Sequence, residues 1–374
     1  MDYQAPKFFL PRPQRFYSWW RTYQKEIPID FKIIDEILAQ YHLKRIKSPR
    51  NAQGGRRNAN IIVETYNGKI VLKCYRNSLG DSTIIQEHSI LKHLSKIGFP
   101  AVSLVSTPTG DTLIHYNDRR YAVYEFIDGF KFYDYILGSN LSRRYIAIAG
   151  ELLGQLHSDL KEFIPIGYNP DGFKSQTEGR WRSLDWFSNK LAHCIQNLST
   201  DHLNRINGKI FALICHARKL EDQLVRSIEI LDEAGLPRQI IHKDYNQSNI
   251  LYRKNKSPVI IDFEIARLDW RLIDIIDGWE AFAKDKFMYN PKKMGIFFKA
   301  YQDKNRLHED ELRFIPLVWK YLNLTRCILH LHNYVTTKDT YSIHEAYRFL
   351  KQTNCNFRNN EKLSKILGVS DLVW

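Results

Sequence analysis

Residues 240–251 read Ile-Ile-His-Lys-Asp-Tyr-Asn-Gln-Ser-Asn-Ile-Leu, and residues 259–264 read Val-Ile-Ile-Asp-Phe-Glu. Two apolar, strand-like runs flank a polar loop, and the second run ends directly in acidic residues. This layout predicts that Asp244, Asn249 and Asp262 lie close together. Phosphoryl transfer needs such groups, because a carboxylate must orient the attacking hydroxyl and accept its proton, and oxygen ligands must hold the Mg²⁺ that bridges the phosphates.

The residue types assign different roles to the acidic and amide groups. Asp244 suits the catalytic base, whereas Asn249 and Asp262 suit the metal, with Glu264 as a further ligand because Mg²⁺ prefers hard oxygen atoms. A chance loop of polar turn residues is the alternative for H-x-D-x-x-x-x-N alone. The Ile-Asp-Phe-Glu segment at this short distance disfavours that alternative, so the sequence predicts a magnesium-dependent phosphotransferase.

Both motifs resemble those of the aminoglycoside phosphotransferase and choline kinase family, whose catalytic loop reads H-x-D-x-x-x-x-N and whose metal segment reads I-D-F/W-D/E. The resemblance covers most of the chain from about residue 30. Residues 242–245 and 269–274 are most similar to the spore-coat-associated kinase-like branch. Lys243 departs from the Gly that many members carry there, which distances the chain from the antibiotic kinases. The resemblance implies ATP as the donor and a loop-stabilising role for His242. It also implies a carboxylate that braces the loop, which Asp274 resembles, although its neighbours Asp269 and Asp277 have similar claims.

The N-terminal half alternates short strands with two helices. Apolar spacing after Asp30, a plausible N-cap, predicts a first helix. The dipeptide Asn67-Gly68 is a strong hairpin signal between two runs rich in β-branched residues. The predicted strands are residues 43–48, 61–65, 69–75, 112–116 and 121–127, and a helix is predicted over residues 81–97.

After Asp128-Gly129 the pattern becomes helical, with predicted helices over residues 142–160, 183–198, 202–234, 271–303 and 309–335. A strand-rich segment followed by a helix-rich one predicts an α+β chain of two lobes, with an antiparallel sheet in the first and mainly helices in the second. The resemblance implies the protein-kinase-like version of this fold. We expect an aromatic and Pro-rich extension (1–29), a nucleotide-binding lobe (30–127) and a helical catalytic and acceptor-binding lobe (128–374).

Further residues are candidates for nucleotide binding. Lys73 lies in the third predicted strand, where kinase folds place the lysine that contacts the α- and β-phosphates, and Glu87 in the next helix is its natural ion-pair partner. Each alone could be an ordinary surface charge. The polar loop with Gly54, Gly55 and Asn58 could hold phosphate oxygens through its backbone, or could be a solvated turn, since it matches no phosphate-loop pattern.

The predicted junction of the lobes contains Glu125, Phe126 and Ile127, where the fold offers backbone hydrogen bonds to adenine. A eukaryotic-type protein kinase is disfavoured, because Phe-Glu rather than Phe-Gly follows Asp262 and no A-P-E segment follows. We therefore expect an ATP- and Mg²⁺-dependent enzyme that phosphorylates a hydroxyl of a small molecule. The alternative is a non-catalytic binding or coat-type protein on a kinase fold.

Composition limits the partners and the compartment. The formal net charge is +14, but the basic residues occur as scattered pairs, which favours a generally basic surface over a nucleic-acid site. The 5 cysteines contain no C-x-x-C pair, as expected for reduced thiols. We see neither a signal peptide nor an apolar run long enough to span a membrane, so the sequence predicts a cytoplasmic protein.

Overall fold

The computed structural model describes residues 30–52, 58–132, 141–168, 184–198, 219, 222–285, 288–355 and 360–374. The chain divides into two compact units. The first contains the described residues up to Phe130 together with Leu251–Ile260, and the second contains Lys131–Ile250 and Ile261–Trp374. The proposed extension (1–29) and the glycines Gly54 and Gly55 lie outside the described residues.

The first unit begins with helix α1 (Phe31–Ala39), whose cap is the predicted one. The Asp30 carboxylate accepts a hydrogen bond from the Lys32 N–H at 2.9 Å, which satisfies one of the donors that a helix start leaves open. Ile34, Ile37 and Leu38 are buried, and their spacing places them on one face of the helix. This face packs against the sheet in a single apolar core.

The first unit also contains a six-stranded antiparallel sheet with the order β1-β2-β3-β6-β4, in which β5 pairs with β6. Burial alternates along β2, as expected for a half-buried strand. Gly68, with φ +114°, makes the tight turn into β3. The strands are β1 (Arg50–Asn51), β2 (Ala59–Thr65), β3 (Gly68–Cys74), β4 (Leu104–Val105), β5 (Ile114–Tyr116) and β6 (Arg119–Glu125).

The strand predicted over residues 43–48 is wrong. Only an isolated bridge joins Arg45 to Thr65 there. The segment is mostly exposed, and the Arg45 guanidinium pairs with the Asp35 carboxylate at 2.7 Å. Because the segment has no continuous apolar face to bury, it makes only this one bridge to the sheet.

Helix α2 (Asp81–Lys96) follows the third strand, as predicted, and buries one face that includes Glu87. A later segment of the chain also belongs to the first unit, where β8 (Ile250–Arg253) pairs with β9 (Lys256–Ile260). The end of this hairpin is fixed because Ile260 makes a parallel bridge to Ala101. These strands separate the two halves of the decisive motif along the chain.

The second unit is mainly helical. Its helices are α3 (Arg143–Asp159), α4 (Leu184–Leu198), the described helical segment 222–233 (α5), α6 (Leu272–Phe282), α7 (Pro291–Gln302), α8 (Glu309–Thr337), α9 (Thr340–Cys355) and α10 (Asn360–Leu367). The last two helices were not predicted. Its strands are β7 (Arg238–Ile241), which pairs with β10 (Arg267–Trp270), and β11 (Lys284–Asp285), which pairs with β12 (Met288–Tyr289). The sheet and the helices together confirm the predicted α+β class.

The single helix predicted over residues 271–303 is wrong, because the hairpin of β11 and β12 separates α6 from α7. Asn290 caps α7, since its side-chain oxygen accepts from the Lys292 N–H at 2.9 Å. Pro291 is the first residue of α7, where its missing N–H is not needed, but it could not continue a helix from α6.

Close helix contacts in this unit depend on glycines. A Cβ on Gly154 of α3 would lie 2.6 Å from the Tyr301 carbonyl oxygen, and one on Gly278 of α6 would collide with the Phe297 ring. The missing side chains allow α7 to approach both helices closely. None of the described helices combines the length and apolar character needed to cross a membrane.

Candidate active site

The polar loop after β7 fixes Asp244 through two amide side chains. Asn249, at the end of a short 3-10 turn, donates from Nδ2 to the Asp244 Oδ2 atom and to its carbonyl oxygen, both at 2.9 Å. Asn246 donates to the other carboxylate oxygen, Oδ1, at 2.8 Å. Each oxygen of the Asp244 carboxylate is therefore held by one amide, which fixes its orientation.

Asp262 joins this group from the end of the second apolar run. The Ile261 N–H donates to the Asn249 carbonyl oxygen at 3.0 Å, so the two segments are tied together. Asp262 has a left-handed backbone, φ +67°, and its side chain is exposed. The structure thus brings Asp244, Asn249 and Asp262 together, although their chemical roles stay predictions.

The environment raises the pKa of the Asp244 carboxyl. Surrounding protein contributes most to the increase and the negative charge of Asp262 adds to it, while His242 and the Asn249 hydrogen bond oppose it. The side chain nevertheless keeps contact with solvent. A carboxylate that is more basic than usual and open to solvent suits a group that takes a proton from a hydroxyl.

The donor atoms fit a magnesium ion rather than a caged metal. No group of three or more His, Cys, Asp or Glu side chains in the described part of the chain could hold a metal ion. Mg²⁺ needs no such cage, because it is commonly bound by one or two carboxylates together with substrate phosphates and water. The exposed Asp262 and the Asn249 side-chain oxygen suit that arrangement, whereas Glu264 is only 6% exposed.

The buried Asp274 carboxylate of α6 stabilises the polar loop after β7 by accepting hydrogen bonds from its backbone. Its Oδ2 accepts from the His242 N–H at 2.7 Å and from His157 Nε2 at 3.1 Å, and its Oδ1 accepts from the Lys243 N–H at 2.8 Å. Burial raises the pKa of Asp274, but the hydrogen bond from His157, the nearby imidazoles of His157 and His242, and the backbone hydrogen bond from His242 outweigh burial and lower it. Asp274 therefore stays ionised and holds two consecutive backbone donors.

The two neighbouring acids, Asp269 and Asp277, form ion pairs with arginines, whereas Asp274 accepts the hydrogen bonds from the loop backbone. The Asp269 carboxylate lies 3.1 Å from the Arg267 guanidinium, and Asp277 pairs with Arg326. Only tertiary contacts could distinguish Asp274 from these two.

Two histidines, His242 and His157, stabilise the loop around Asp244. The His242 Nδ1 atom accepts from the Asp244 N–H at 3.2 Å, so its Nε2 carries the hydrogen and donates to the Ile261 carbonyl at 3.0 Å. His242 thus connects the catalytic loop to the metal segment, as its expected loop-stabilising role requires. His157 is fully buried, and its Nδ1 lies 3.0 Å from the Tyr301 hydroxyl, so both of its ring nitrogens have partners inside the protein.

In the first unit, Lys73 of β3 lies with its Nζ 3.0 Å from the Glu87 Oε1 atom of α2. The two side chains are buried, at 6% and 2% exposure. The Tyr75 hydroxyl donates to the second Glu87 oxygen at 3.1 Å. The expected ion pair is therefore present, with a hydrogen-bonded carboxylate rather than a loose surface contact.

The other nucleotide candidates have structural features of their own. The Asn58 side-chain oxygen accepts from the Arg76 N–H at 3.0 Å, which ties the polar loop to the end of β3. The Glu125 N–H already donates to the Ser103 carbonyl. Phe126 and Ile127 make no backbone hydrogen bond to another described residue, and their role in binding adenine stays a prediction.

Sequence reasoning missed two lysines near this group. Burial lowers the pKa of Lys131, and the charge of Asp262 opposes that change, so the lysine lies within electrostatic range of the proposed metal carboxylate. Lys243 has φ +70°, a conformation that favours glycine. No motif marks Lys131, whereas the departure from Gly at Lys243 was a readable signal.

Comparison with protein families decides the assignment. Residues 49–290, well over half of the chain, match the model of the phosphotransferase enzyme family. The chain belongs to this family. Membership confirms the predicted resemblance and the ATP-dependent, small-molecule phosphotransferase, and it does not favour the non-catalytic alternative. The spore-coat-associated branch stays a prediction.

Individual relatives of this phosphotransferase chain are distant. It is 23% identical over 285 residues to a homoserine kinase from Beijerinckia indica, covering 75% of this chain and 79% of the relative. It is similar in fold to amicoumacin kinase hAmiN in complex with AMP-PNP, Ca²⁺ and Ami, with TM-score 0.63 and 16% identity over 88% of this chain and 94% of that one. A microcompartment-associated aminopropanol kinase gives TM-score 0.59 and 16% identity, covering 92% and 99%. These structural likenesses confirm the kinase-like fold.

Proposed function

We propose that the protein transfers the γ-phosphoryl group of ATP to a hydroxyl of a small molecule, with Asp244 as the base. Asn249 and Asp262 would hold the Mg²⁺, which would neutralise charge on the phosphates, and Lys73, oriented by Glu87, contacts the α- and β-phosphates. Backbone groups of Phe126 and Ile127 bind the adenine. Backbone N–H groups of the polar loop before Asn58 would hold phosphate oxygens.

One observation carries this proposal: the Asn249 and Asn246 amides hold the Asp244 carboxylate by hydrogen bonds, beside an exposed Asp262. A fixed base can accept a proton from a hydroxyl without reorganising, which is what positioning catalysis requires. The Asn249 Nδ2 atom donates both of its hydrogen bonds to Asp244, so the Asn249 side-chain oxygen remains for the metal.

For the acceptor, we propose a primary alcohol on a small, polar molecule. The homoserine kinase relative and the aminopropanol kinase neighbour suggest a set of test compounds in matched pairs. Homoserine and 3-aminopropan-1-ol share a chain and a hydroxyl but differ by one carboxylate, as do serine and ethanolamine. Each compound is tested for acceptor-dependent ADP release, with product confirmed by mass spectrometry.

Two variants separate the proposed roles. Asp244→Asn should lower kcat by about 10²–10⁴ with nearly unchanged nucleotide affinity, since the base acts only in the transition state. Asp262→Asn should weaken the Mg²⁺-dependent binding of ATP, measured by calorimetry and by the Mg²⁺-dependent thermal shift. Asp310→Asn is a matched control, because the Asp310 side chain is 82% exposed. Full turnover by Asp244→Asn with a verified acceptor would remove that residue from the mechanism.

A further inference from the structure

Lys243, the residue directly before the proposed base, has a backbone conformation that is unfavourable for a residue with a side chain. At φ +70°, a lysine is less favourable than the glycine that this backbone conformation prefers. Its side chain is half-buried. Within the described part of the chain, its ammonium makes no hydrogen bond and no ion pair. A lysine in this backbone conformation, whose ammonium has no partner among the described residues, points to a role in binding a ligand.

The charged groups around Lys243 come from strand β10 and from helices α6 and α8. Its charge interacts with the Asp277 and Asp269 carboxylates and with the Arg267 and Arg326 guanidinium groups. The Lys243 N–H is bound to Asp274, one helical turn before Asp277, so its backbone is anchored beside this cluster. The charge of Asp277 also acts on Asp244. Lys243 and the proposed base therefore face the same part of α6.

The charged side chains that act on Lys243 pair with one another. Arg267 pairs with Asp269, and Arg326 with Asp277. The two carboxylates that act on the Lys243 charge are thus each held by an arginine. An anionic ligand would supply the ion-pair partner that the Lys243 ammonium lacks among the described residues.

We propose that Lys243 binds a carboxylate of the acceptor, so that the substrate phosphorylated beside Asp244 is a small hydroxy acid. This inference rests on the proposed function and names its substrate class. Consecutive Cα atoms are about 3.8 Å apart, so one small molecule can reach Lys243 with its carboxylate and Asp244 with its hydroxyl. Burial lowers the pKa of the Lys243 ammonium to about 8, and an anionic ligand would favour its charged form.

The same lysine could instead contact the phosphoryl group in transfer. That role would make its loss equally harmful with every acceptor, because the phosphoryl group is common to all of them. A carboxylate-binding role predicts a loss only with the carboxylated member of each pair. The matched compounds therefore distinguish the two roles.

The kinetic test compares Lys243→Met and Lys243→Arg with the unmodified enzyme. With homoserine or serine, Lys243→Met should lose about tenfold or more in kcat/KM, the effect of one charge-assisted hydrogen bond, mainly through KM. With 3-aminopropan-1-ol or ethanolamine it should change less than about twofold. Lys243→Arg should restore most of the selectivity. Lys299→Met is the control, since Lys299 is 77% exposed. Equal losses for both members of a pair, or transfer only to the uncarboxylated members, would overturn the inference.

A binding test separates this inference from the proposed function. Thermal shifts are measured with millimolar 4-hydroxybutanoate and, as the uncharged match, propan-1-ol, each in the presence of Mg-ADP so that no transfer occurs. The carboxylate should stabilise the unmodified protein but not Lys243→Met. If no compound is phosphorylated while this shift is present, the proposed acceptor set fails and the anion site stands. If the shift is absent or survives in Lys243→Met, the inference is wrong whatever the activity.

Discussion

Replacing Asp274 by asparagine should test how the catalytic loop is held. Asp274 is fully buried and accepts three hydrogen bonds, from the backbone of His242 and Lys243 and from His157. Asparagine has nearly the same shape but offers only one acceptor oxygen. If that oxygen takes the position of Oδ2, the amide NH₂ faces the Lys243 N–H, and two donors oppose each other.

The expected loss of stability follows from these contacts. Leaving the Lys243 N–H without an acceptor costs about 1–3 kcal/mol. The two remaining hydrogen bonds become neutral, and since charge-assisted bonds are about twice as strong, each weakens by about 0.5–1 kcal/mol. The charge of Asp274 no longer has to be desolvated, which offsets part of this. We therefore expect Asp274→Asn to lower the free energy of unfolding by about 2–4 kcal/mol.

The assay is equilibrium urea unfolding at neutral pH, with the shift in midpoint converted at an unchanged m-value. Asp310→Asn, an exposed substitution on α8, should stay within about 0.5 kcal/mol. Turnover should fall in Asp274→Asn even where the protein remains folded, because the His242 and Lys243 backbone positions set the Asp244 carboxylate. A loss below about 1 kcal/mol would refute the reasoning that Asp274 accepts all three bonds.

Three further predictions concern other parts of the chain. Lys73→Met leaves the buried Glu87 carboxylate without its cation and should cost about 3–5 kcal/mol in urea unfolding; in the double variant with Glu87→Gln the loss should be smaller than the sum of the single losses, and simple additivity would argue against the pair. Burial lowers the pKa of His88 to about 3, below its unfolded value, so stability is full above about pH 6.5 and falls by about 2 kcal/mol from pH 7.5 to 5; His88→Gln should flatten this slope, and an unchanged slope would contradict it. Gly278→Ala should lower the free energy of unfolding by about 1–3 kcal/mol, because the added carbon overpacks against the Phe297 ring of α7. Gly295→Ala on α7, where nothing lies within 4 Å of the added carbon, should be neutral or stabilising. Thermal unfolding of both variants measures the difference.

Local signals predicted most of the elements that carry the site. The Asn67-Gly68 turn, the cap at Asp30 and the apolar spacing of α2 are properties of a few neighbouring residues, and the structure has each of them near the predicted place. The predictions were wrong where a periodic pattern continued through a break. The helix expected over residues 271–303 is interrupted by the hairpin of β11 and β12, and the strand expected over residues 43–48 lacks a buried face.

By itself, the sequence determined the family of the protein and predicted that Asp244, Asn249 and Asp262 carry phosphoryl transfer, because the three come from two short motifs whose spacing is local. It could not decide which of three nearby acids braces the loop, nor show that the Lys243 ammonium makes no hydrogen bond or ion pair to a described residue. Those facts depend on residues far apart in the chain, such as His157 with Asp274 and Arg326 with Asp277. Only the packing of α3, α6 and α8 brings them within hydrogen-bonding distance, and no local pattern encodes such long-range pairings.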